Sequence, residues 1–237
     1  MKKKQSKKES GMANLTDSEL EILERKYFDI LSELLSRNIG TIITQIYSQN
    51  FIKSAATGNV TNVIESAAEN ILEGLIANQL HWNVCSLPVS SDSCFECGDA
   101  IIHIDVKTIA EKDSDNTYNK VNVEAAQTSY CKGTPLTVSG KPWEPKLNFY
   151  EEHTIFGLIP NLTFIVKIVY SATNSVEIIK LISLPHGQLQ DSFGGADILG
   201  AGRNSGGTTR GNIRFKEEDI LAVEDWRVKN IFTRHPI

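Results

Sequence analysis

The segment that first points to chemistry is a short apolar run, 100–108, which carries one acid and one lysine. Successive side chains of a β-strand point to opposite faces, so Asp105 and Lys107, two residues apart, project from the same face. The apolar residues between and before them pack on the other face: Ile102, Ile104 and Val106. The sequence therefore predicts a carboxylate and an ammonium group side by side at the end of a buried strand. An ion pair without a catalytic role is the rival interpretation.

A second acid is brought to this strand by a predicted hairpin. Its arms are 93–96 and 100–108, and its turn contains Gly98. Asp92 opens the first arm, so folding of the turn returns it to the neighbourhood of Asp105. Asp99 is a rival first acid, but it lies in the turn, too near Asp105 in sequence for a hairpin to form between the two. We favour Asp92 and keep Asp99 as the alternative.

Two neighbouring carboxylates repel each other unless a cation lies between them. Ligation by oxygen atoms alone suits Mg²⁺, which keeps several waters and accepts phosphate as a further ligand. Lys107 can position or help to deprotonate an attacking water, and it can neutralise charge that develops on a phosphate. The residues Asp92, Asp105 and Lys107 therefore have the chemistry that hydrolysis of a phosphodiester requires.

This arrangement resembles the active site of the PD-(D/E)xK nuclease superfamily. The sequence is similar to type II restriction endonucleases and most similar to the EcoRV-like branch, although Ser91 stands where proline normally precedes the first acid. The resemblance implies a further Mg²⁺ ligand on the helix before the first strand, and Glu65 stands at that distance. Glu69 and Glu73 are lesser candidates, and a solvated helix-face charge is the alternative for Glu65.

A glycine-rich stretch, 200–214, carries side chains that suit base recognition. Glycine permits a close backbone approach; arginine pairs with guanine, asparagine with adenine, and threonine contacts the thymine methyl. The stretch resembles the major-groove recognition loop of the same branch, and the alternative is a surface loop without a partner. The predicted DNA contacts are Arg203, Asn204, Ser205, Thr208, Thr209, Arg210, Asn212 and Arg214.

The spacing of apolar residues predicts the helices and strands that position these side chains. Thr16 and Glu19 form a capping-box pattern, from which a helix is predicted to end near 38–40. A second helical segment is predicted at 41–51, and a further helix at 62–79. Short strands follow, with the strongest signals at 162–172 and 175–184. We also predict three less regular regions: a short helix at 121–130, a loop at 135–145 and a mostly helical C-terminus. The predicted fold class is α/β (α+β), a central mixed β-sheet flanked by helices with a restriction-endonuclease-like core.

Composition predicts one domain at 13–237 after a disordered basic leader at 1–12, although Met12 is a possible internal start. The first ten residues contain five lysines and one glutamate, whereas the whole chain has a net charge of −5. Phosphate contacts must therefore come from local basic patches. With neither a secretory signal nor a long apolar run, we expect a soluble cytoplasmic protein. Its four cysteines are expected to be reduced, and Cys94 and Cys97 lack the second ligand pair of a structural zinc site.

The combined prediction is a homodimeric, Mg²⁺-dependent type II restriction endonuclease acting on double-stranded DNA. A palindromic site is two-fold symmetric, so two copies are needed to read both half-sites. The N-terminal helix is a candidate dimer surface, with core packing as the rival explanation. The alternatives are a repair or junction-resolving nuclease of the same superfamily and a non-catalytic DNA-binding module.

Overall fold

The computed structural model describes residues 14–57, 61–85, 91–110, 119–133, 136–138, 141–171, 175–192 and 213–234. Within these ranges, the side chains of 49–57, 61–66, 110, 136–138 and 141–142 are not described. The described helices are α1 (Asp17–Thr57), α2 (Thr61–Leu80) and α3 (Glu217–Val223). None of them is long and apolar enough to cross a membrane.

Helix α1 begins at the predicted capping box. Thr16 donates its backbone N–H to Glu19 Oε2 at 2.8 Å, and the Glu19 N–H donates to Thr16 Oγ1 at 3.3 Å. The predicted end near 38–40 is wrong, because the helix continues through Gly40 and takes in the helical segment predicted at 41–51. An interior glycine costs about 1 kcal/mol relative to alanine. Burial of Ile42 and Ile46, beyond it, outweighs that cost.

The predicted helix at 62–79 is confirmed by α2, and the strands predicted at 162–172 and 175–184 are confirmed by β8 and β9. The described residues form eleven strands, and most belong to one sheet with the order β1-β2-β3-β8-β9-β11, in which β7 also pairs with β8. Only β3 and β8 run parallel among these neighbours, so the sheet is mixed, as predicted. The strands are β1 (Asn83–Val84), β2 (Ser93–Glu96), β3 (Ile101–Ala110), β4 (Lys120–Val123), β5 (Leu136–Val138), β6 (Lys141–Trp143), β7 (Tyr150–His153), β8 (Gly157–Tyr170), β9 (Val176–Leu184), β10 (Ile213–Lys216) and β11 (Val228–Thr233).

The sheet separates two hydrophobic cores. Even-numbered residues of β3, such as Ile104, pack with α1 and α2. On the opposite face, Ile165 and Ile182 pack with Val123 of β4 and Phe215 of β10. Since Asp105 is an odd-numbered residue of β3, it lies on the face that is turned away from the two long helices.

Three other predictions are corrected. The helix predicted at 121–130 is wrong: the chain forms β4 and then a 3₁₀ turn, Ala125–Gln127. The C-terminus is not mostly helical, because the seven-residue α3 is followed by β11. The loop predicted at 135–145 contains the short strands β5 and β6. Strands β4 and β11 are stabilised by β10 and β9, partners that lie far away in sequence.

The expectation of four reduced cysteines is also wrong, since the structure joins Cys85 and Cys94 in a disulfide. The two residues lie opposite each other beside the β1–β2 ladder: their Cα atoms are 5.4 Å apart, and the Cys85 N–H donates to the Cys94 carbonyl at 2.9 Å. Cys97 is half-buried and Cys131 is buried, and both are free thiols. A zinc site at Cys94 and Cys97 finds no support among the described residues, where no group of three or more metal-ligating side chains occurs.

A buried ion pair connects α1 to the C-terminal part of the chain. Arg227 Nη2 lies 2.6 Å from Glu24 Oε2, and Arg227 Nη1 donates to Ser183 Oγ at 3.2 Å. The other Glu24 oxygen accepts the backbone N–H of His186 at 2.7 Å. Breaking a buried pair leaves an uncompensated charge, so these contacts fix α1 against the sheet.

Substitution of Gly187 by alanine is expected to destabilise the fold. Gly187 follows β9, and an added Cβ would collide with the Phe149 ring and the Ser129 carbonyl oxygen. Overpacking of this kind typically costs about 1–3 kcal/mol. Gly40→Ala is the matched control, because nothing lies within 4 Å of a Cβ there and the helix gains up to about 1 kcal/mol. Urea unfolding of both variants measures the difference, and equal free energies of unfolding would contradict the prediction.

Candidate active site

The β2–β3 hairpin brings two acids together. The register pairs Ser93 with Ile104, so one further step places Asp92 opposite Asp105. Asp92 Oδ2 accepts the backbone N–H of Val106 at 2.6 Å, which holds this carboxylate against the end of β3. The predicted hairpin is therefore confirmed, and it places Asp92 beside the strand that carries Asp105.

Lys107 completes the group on the same face of β3. Its Nζ lies 2.6 Å from Asp105 Oδ2. The Asp105 side chain is 1% exposed, whereas that of Lys107 is 24% exposed. The acid is thus buried, and the lysine reaches from solvent to its carboxylate. The predicted alternation of β3 is confirmed, since Ile102, Ile104 and Val106 are buried on the other face.

The environment of Asp92 disfavours its negative charge. Although the residue as a whole is exposed, the protein around its carboxyl group raises its pKa by desolvation, and the charge of Glu124 raises the pKa further. The Val106 N–H, Lys107 and the contact with Asp105 act in the opposite direction. Desolvation is the largest of these effects, so a bound cation would relieve an electrostatic cost that the chain itself does not fully offset.

Asp99 lies at the other end of the hairpin. Lys26 Nζ is 2.5 Å from Asp99 Oδ2, and the Tyr27 hydroxyl donates to Asp99 Oδ1. These contacts connect the turn to α1 and leave Asp99 away from Asp105. Of the two candidate first acids, the structure brings only Asp92 to Asp105.

Glu65 belongs to α2, and its side chain lies outside the described residues. Helix α2 packs through Ala67, Ala68 and Ile71 on the face of the sheet opposite to Asp105. In the described part of the chain, no cluster of three or more His, Cys, Asp and Glu side chains could hold a metal. Asp92 and Asp105 are the two acids that the structure brings together, and a role of Glu65 beside them stays a prediction.

Sequence analysis missed Gln127, which contacts Asp105 directly. Gln127 Nε2 donates to Asp105 Oδ1 at 2.5 Å, and the glutamine is 4% exposed. It ends the 3₁₀ turn after β4, in the region that was predicted to be a helix. No local pattern marks this residue, because the contact depends on how β4 packs against the sheet.

The predicted recognition segment is described only at its end. Arg203, Asn204, Ser205, Thr208, Thr209, Arg210 and Asn212 lie outside the described residues. Arg214 lies in β10, where its Nε donates to Asn122 Oδ1 of β4 at 2.9 Å. The β4–β10 ribbon therefore joins the end of this segment to the strand that leads into Gln127.

A buried carboxylate fixes the start of α3, just after β10. Glu217 Oε1 lies 2.6 Å from Lys167 Nζ, and Glu217 Oε2 lies 2.6 Å from Lys180 Nζ. Lys167 stands opposite Lys107 in the β3–β8 ladder and opposite Lys180 in the β8–β9 ladder. Burial lowers the pKa of Lys167, and the charge of Glu217 acts against that change. Three lysines therefore cross the sheet in one row, and Glu217 binds two of them.

Comparison with known proteins gives a family match over most of the chain. Residues 14–174 match the family model described as the N-terminal domain of the type II restriction enzyme MwoI. No curated protein matches the sequence significantly. The EcoRV-like branch is not confirmed by these matches.

Two solved structures share the fold. The restriction endonuclease BglI, bound to its DNA recognition sequence, aligns with a TM-score of 0.72 and 17% identity over 91% of each chain. The tetrameric restriction endonuclease SfiI, bound to cognate DNA, aligns with a TM-score of 0.70 and 15% identity over 92% of this chain and 86% of its own. The predicted restriction-endonuclease-like core is confirmed.

Proposed function

We infer the function from one premise: the chain belongs to the family of type II restriction enzymes represented by the N-terminal domain of MwoI. We propose that it cleaves phosphodiester bonds of double-stranded DNA at a specific sequence. The observation that carries the proposal is the grouping of Asp92, Asp105 and Lys107 at one end of the β2–β3 hairpin. A purely structural ion pair between Asp105 and Lys107 would not require Asp92 beside it.

We propose Mg²⁺ as the cofactor, held by Asp92 and Asp105, with Glu65 as a third ligand. The buried Asp105, together with the desolvation that raises the pKa of Asp92, supports a site that binds a cation. Bound Mg²⁺ would polarise a water and neutralise negative charge on the phosphate.

The chain's own side chains orient and stabilise the reacting groups. Lys107, partly exposed, can reach a phosphate from its position beside Asp105 and stabilise the charge that develops on it. Its Nζ can also hold a proton close to the attacking water. Because Asp105 lies on a strand bonded to both β2 and β8, its backbone is fixed on both sides. Such rigidity keeps the reacting groups in position.

DNA recognition is proposed for the segment that contains Arg203 and Arg210. The structures of BglI and SfiI hold DNA, and the glycines and polar side chains of this segment suit the major groove. Arg203→Ala or Arg210→Ala is expected to cost about 1–3 kcal/mol in discrimination between cognate and non-cognate sites. Rates of cleavage at both kinds of site measure this loss.

The control for the arginine variants is Arg234→Ala, which removes an arginine that lies 3.6 Å from Glu177. It should leave discrimination unchanged, because Arg234 follows β11, an edge strand that β8 and β9 separate from β3. If the Arg203 and Arg210 variants cut the same sites at the same rates as the parent, the recognition segment has been assigned wrongly.

A homodimer is proposed because a palindromic site presents the same half-site twice. Helix α1 is the proposed dimer surface: its exposed side carries Ile22, 69% exposed, in addition to the side that is buried against the sheet. Sedimentation analysis with and without DNA tests the assembly. The proposed location is the cytoplasm, where the protein would meet incoming DNA.

The experiment that tests the function is incubation of the protein with plasmid DNA and Mg²⁺, followed by sequencing of the ends. The expected result is a set of discrete fragments with 5′-phosphate and 3′-hydroxyl ends that share one sequence. Asp105→Ala serves as the control and should bind DNA without cutting it. Cleavage at random or branched sites would favour a repair or junction-resolving nuclease. Binding without cleavage by the parent would indicate a non-catalytic module.

A further inference from the structure

We propose that Gln127 is a positioning residue, whose side-chain amide sets the orientation of the Asp105 carboxylate. The inference rests on the proposed function, because it concerns a carboxylate that we assign to the active site. It adds a residue from outside the hairpin to the group formed by Asp92, Asp105 and Lys107.

The two oxygens of Asp105 have different partners. Oδ1 accepts the Gln127 amide at 2.5 Å, and Oδ2 lies 2.6 Å from Lys107 Nζ. The terminal torsion of an aspartate is broad, so the backbone alone does not fix the plane of the carboxylate. A donor held on Oδ1 determines where Oδ2 points. Gln127 therefore directs the second oxygen toward Lys107.

Gln127 is itself held in one orientation. Its Oε1 accepts the backbone N–H of Glu124 at 2.8 Å, so its NH₂ group is the end that faces Asp105. The backbone carbonyl of Gln127 accepts the Thr163 hydroxyl at 2.9 Å, a contact made by the backbone of the turn and not by the side-chain amide. Both Gln127 and Asp105 are almost fully buried, so water does not replace the amide.

A side chain that hydrogen-bonds to a metal ligand orients that ligand, and it therefore affects the metal site as well. Loss of such a partner typically reduces metal affinity or activity by about 10–100-fold. A glutamine is suited to this role since it donates to the carboxylate without adding a charge of its own. A lysine or arginine in its place would compete with a metal ion for the same oxygens.

The test uses Gln127→Met, which keeps the length of the side chain and removes the donor. We expect kcat for DNA cleavage to fall by about 10–100-fold with KM unchanged, because the substitution leaves the DNA-binding surface intact. The affinity of the protein for Mn²⁺ in the absence of DNA, measured by electron paramagnetic resonance, should fall by a similar factor. A crystal structure of the variant should show the Asp105 carboxylate rotated relative to the parent.

Gln127→Asn is the second variant, since it retains an amide but is one methylene shorter and cannot span to Asp105 from the same backbone position. Thr163→Val is the matched control: it removes a hydrogen bond to the same turn and leaves the Gln127 amide in place. The control should keep the parental kcat, Mn²⁺ affinity and Asp105 orientation. A comparable loss in Thr163→Val would assign the effect to packing of the turn and overturn the inference.

The inference also fails if Asp105 keeps its orientation in both Gln127 variants, whether or not the parent cleaves DNA. Failure of the proposed function gives a different pattern, in which the parent shows no cleavage with any divalent ion. The rotation of Asp105 in the crystal would still decide the role of Gln127 in that case.

Discussion

Alanine at position 107 is expected to lower the rate of DNA cleavage by a factor of about 10²–10³, the usual effect of removing one preorganised group that stabilises transition-state charge. Lys107 Nζ lies 2.6 Å from Asp105 Oδ2, and its side chain is partly open to solvent. It is a basic side chain that the structure places in contact with Asp105, so its loss removes positive charge at the proposed active site. Single-turnover cleavage with Mg²⁺ measures the change.

DNA binding by Lys107→Ala should persist when Ca²⁺ replaces Mg²⁺, because Ca²⁺ also takes oxygen ligands and the acids are still present. The matched control is Lys26→Ala, which breaks another lysine–aspartate pair, at 2.5 Å, at the far end of the same hairpin. Because Lys26 lies on α1, sedimentation checks that this variant keeps the parental assembly. Both side chains of that pair are about half exposed. Its removal should therefore leave the cleavage rate unchanged and lower the free energy of unfolding by no more than about 1 kcal/mol. Unchanged cutting by Lys107→Ala would show that the lysine is only a structural partner of Asp105.

Asparagine at position 92 is expected to reduce cleavage by about 10³ or more, which corresponds to about 4 kcal/mol of transition-state stabilisation. The substitution keeps the shape of the side chain and an oxygen that can accept the Val106 N–H. It removes the negative charge that would hold Mg²⁺ together with Asp105. The loss should therefore appear in cleavage and in metal binding, with the fold preserved.

The stability of Asp92→Asn provides a second readout. Desolvation raises the pKa of Asp92, which means that the fold disfavours the charged form of this carboxyl group. A neutral side chain removes this cost, so the free energy of unfolding in the absence of metal should stay equal or rise. Chemical denaturation at pH 7 measures it, and a large fall would contradict this account of the site.

Asp99→Asn is the control, and it also decides between the two candidate first acids. Asp99 accepts hydrogen bonds from Lys26 and Tyr27 at the turn, away from Asp105. Its substitution should leave cleavage at the parental rate. If Asp99→Asn abolished cutting and Asp92→Asn did not, the assignment of the metal ligands would have to be reversed.

Local sequence was informative where one strand or one helix decides the outcome. The alternation around Asp105 and Lys107 placed both on one face of β3, and the capping box at Thr16 located the start of α1. The hairpin that returns Asp92 to Asp105 was also predictable, because its two arms are joined by a short turn. These features depend on interactions between residues that are close in the chain.

The sequence was less informative wherever a distant partner overrides local preference. Residues 121–130 have a pattern compatible with a helix, yet β10 pairs with 120–123 across about 90 residues and makes that part a strand. Gly40 suggested a helix end, but burial of Ile42 against α2 carries the helix through it. In both cases the energy of packing exceeds the small differences in intrinsic propensity.

By itself, then, the sequence determined the candidate chemistry of this protein: an acid and a lysine on one strand, a second acid across a hairpin, and a polar glycine-rich segment that we propose for DNA recognition. Only the tertiary structure decided that Asp92 and not Asp99 meets Asp105, that Cys85 pairs with Cys94, and that Gln127 holds the Asp105 carboxylate. The physical reason is that residue type and spacing determine which side chains share one face of a strand. Which side chains meet depends on the packing of elements that are remote in the chain, and that packing is set by the fold as a whole.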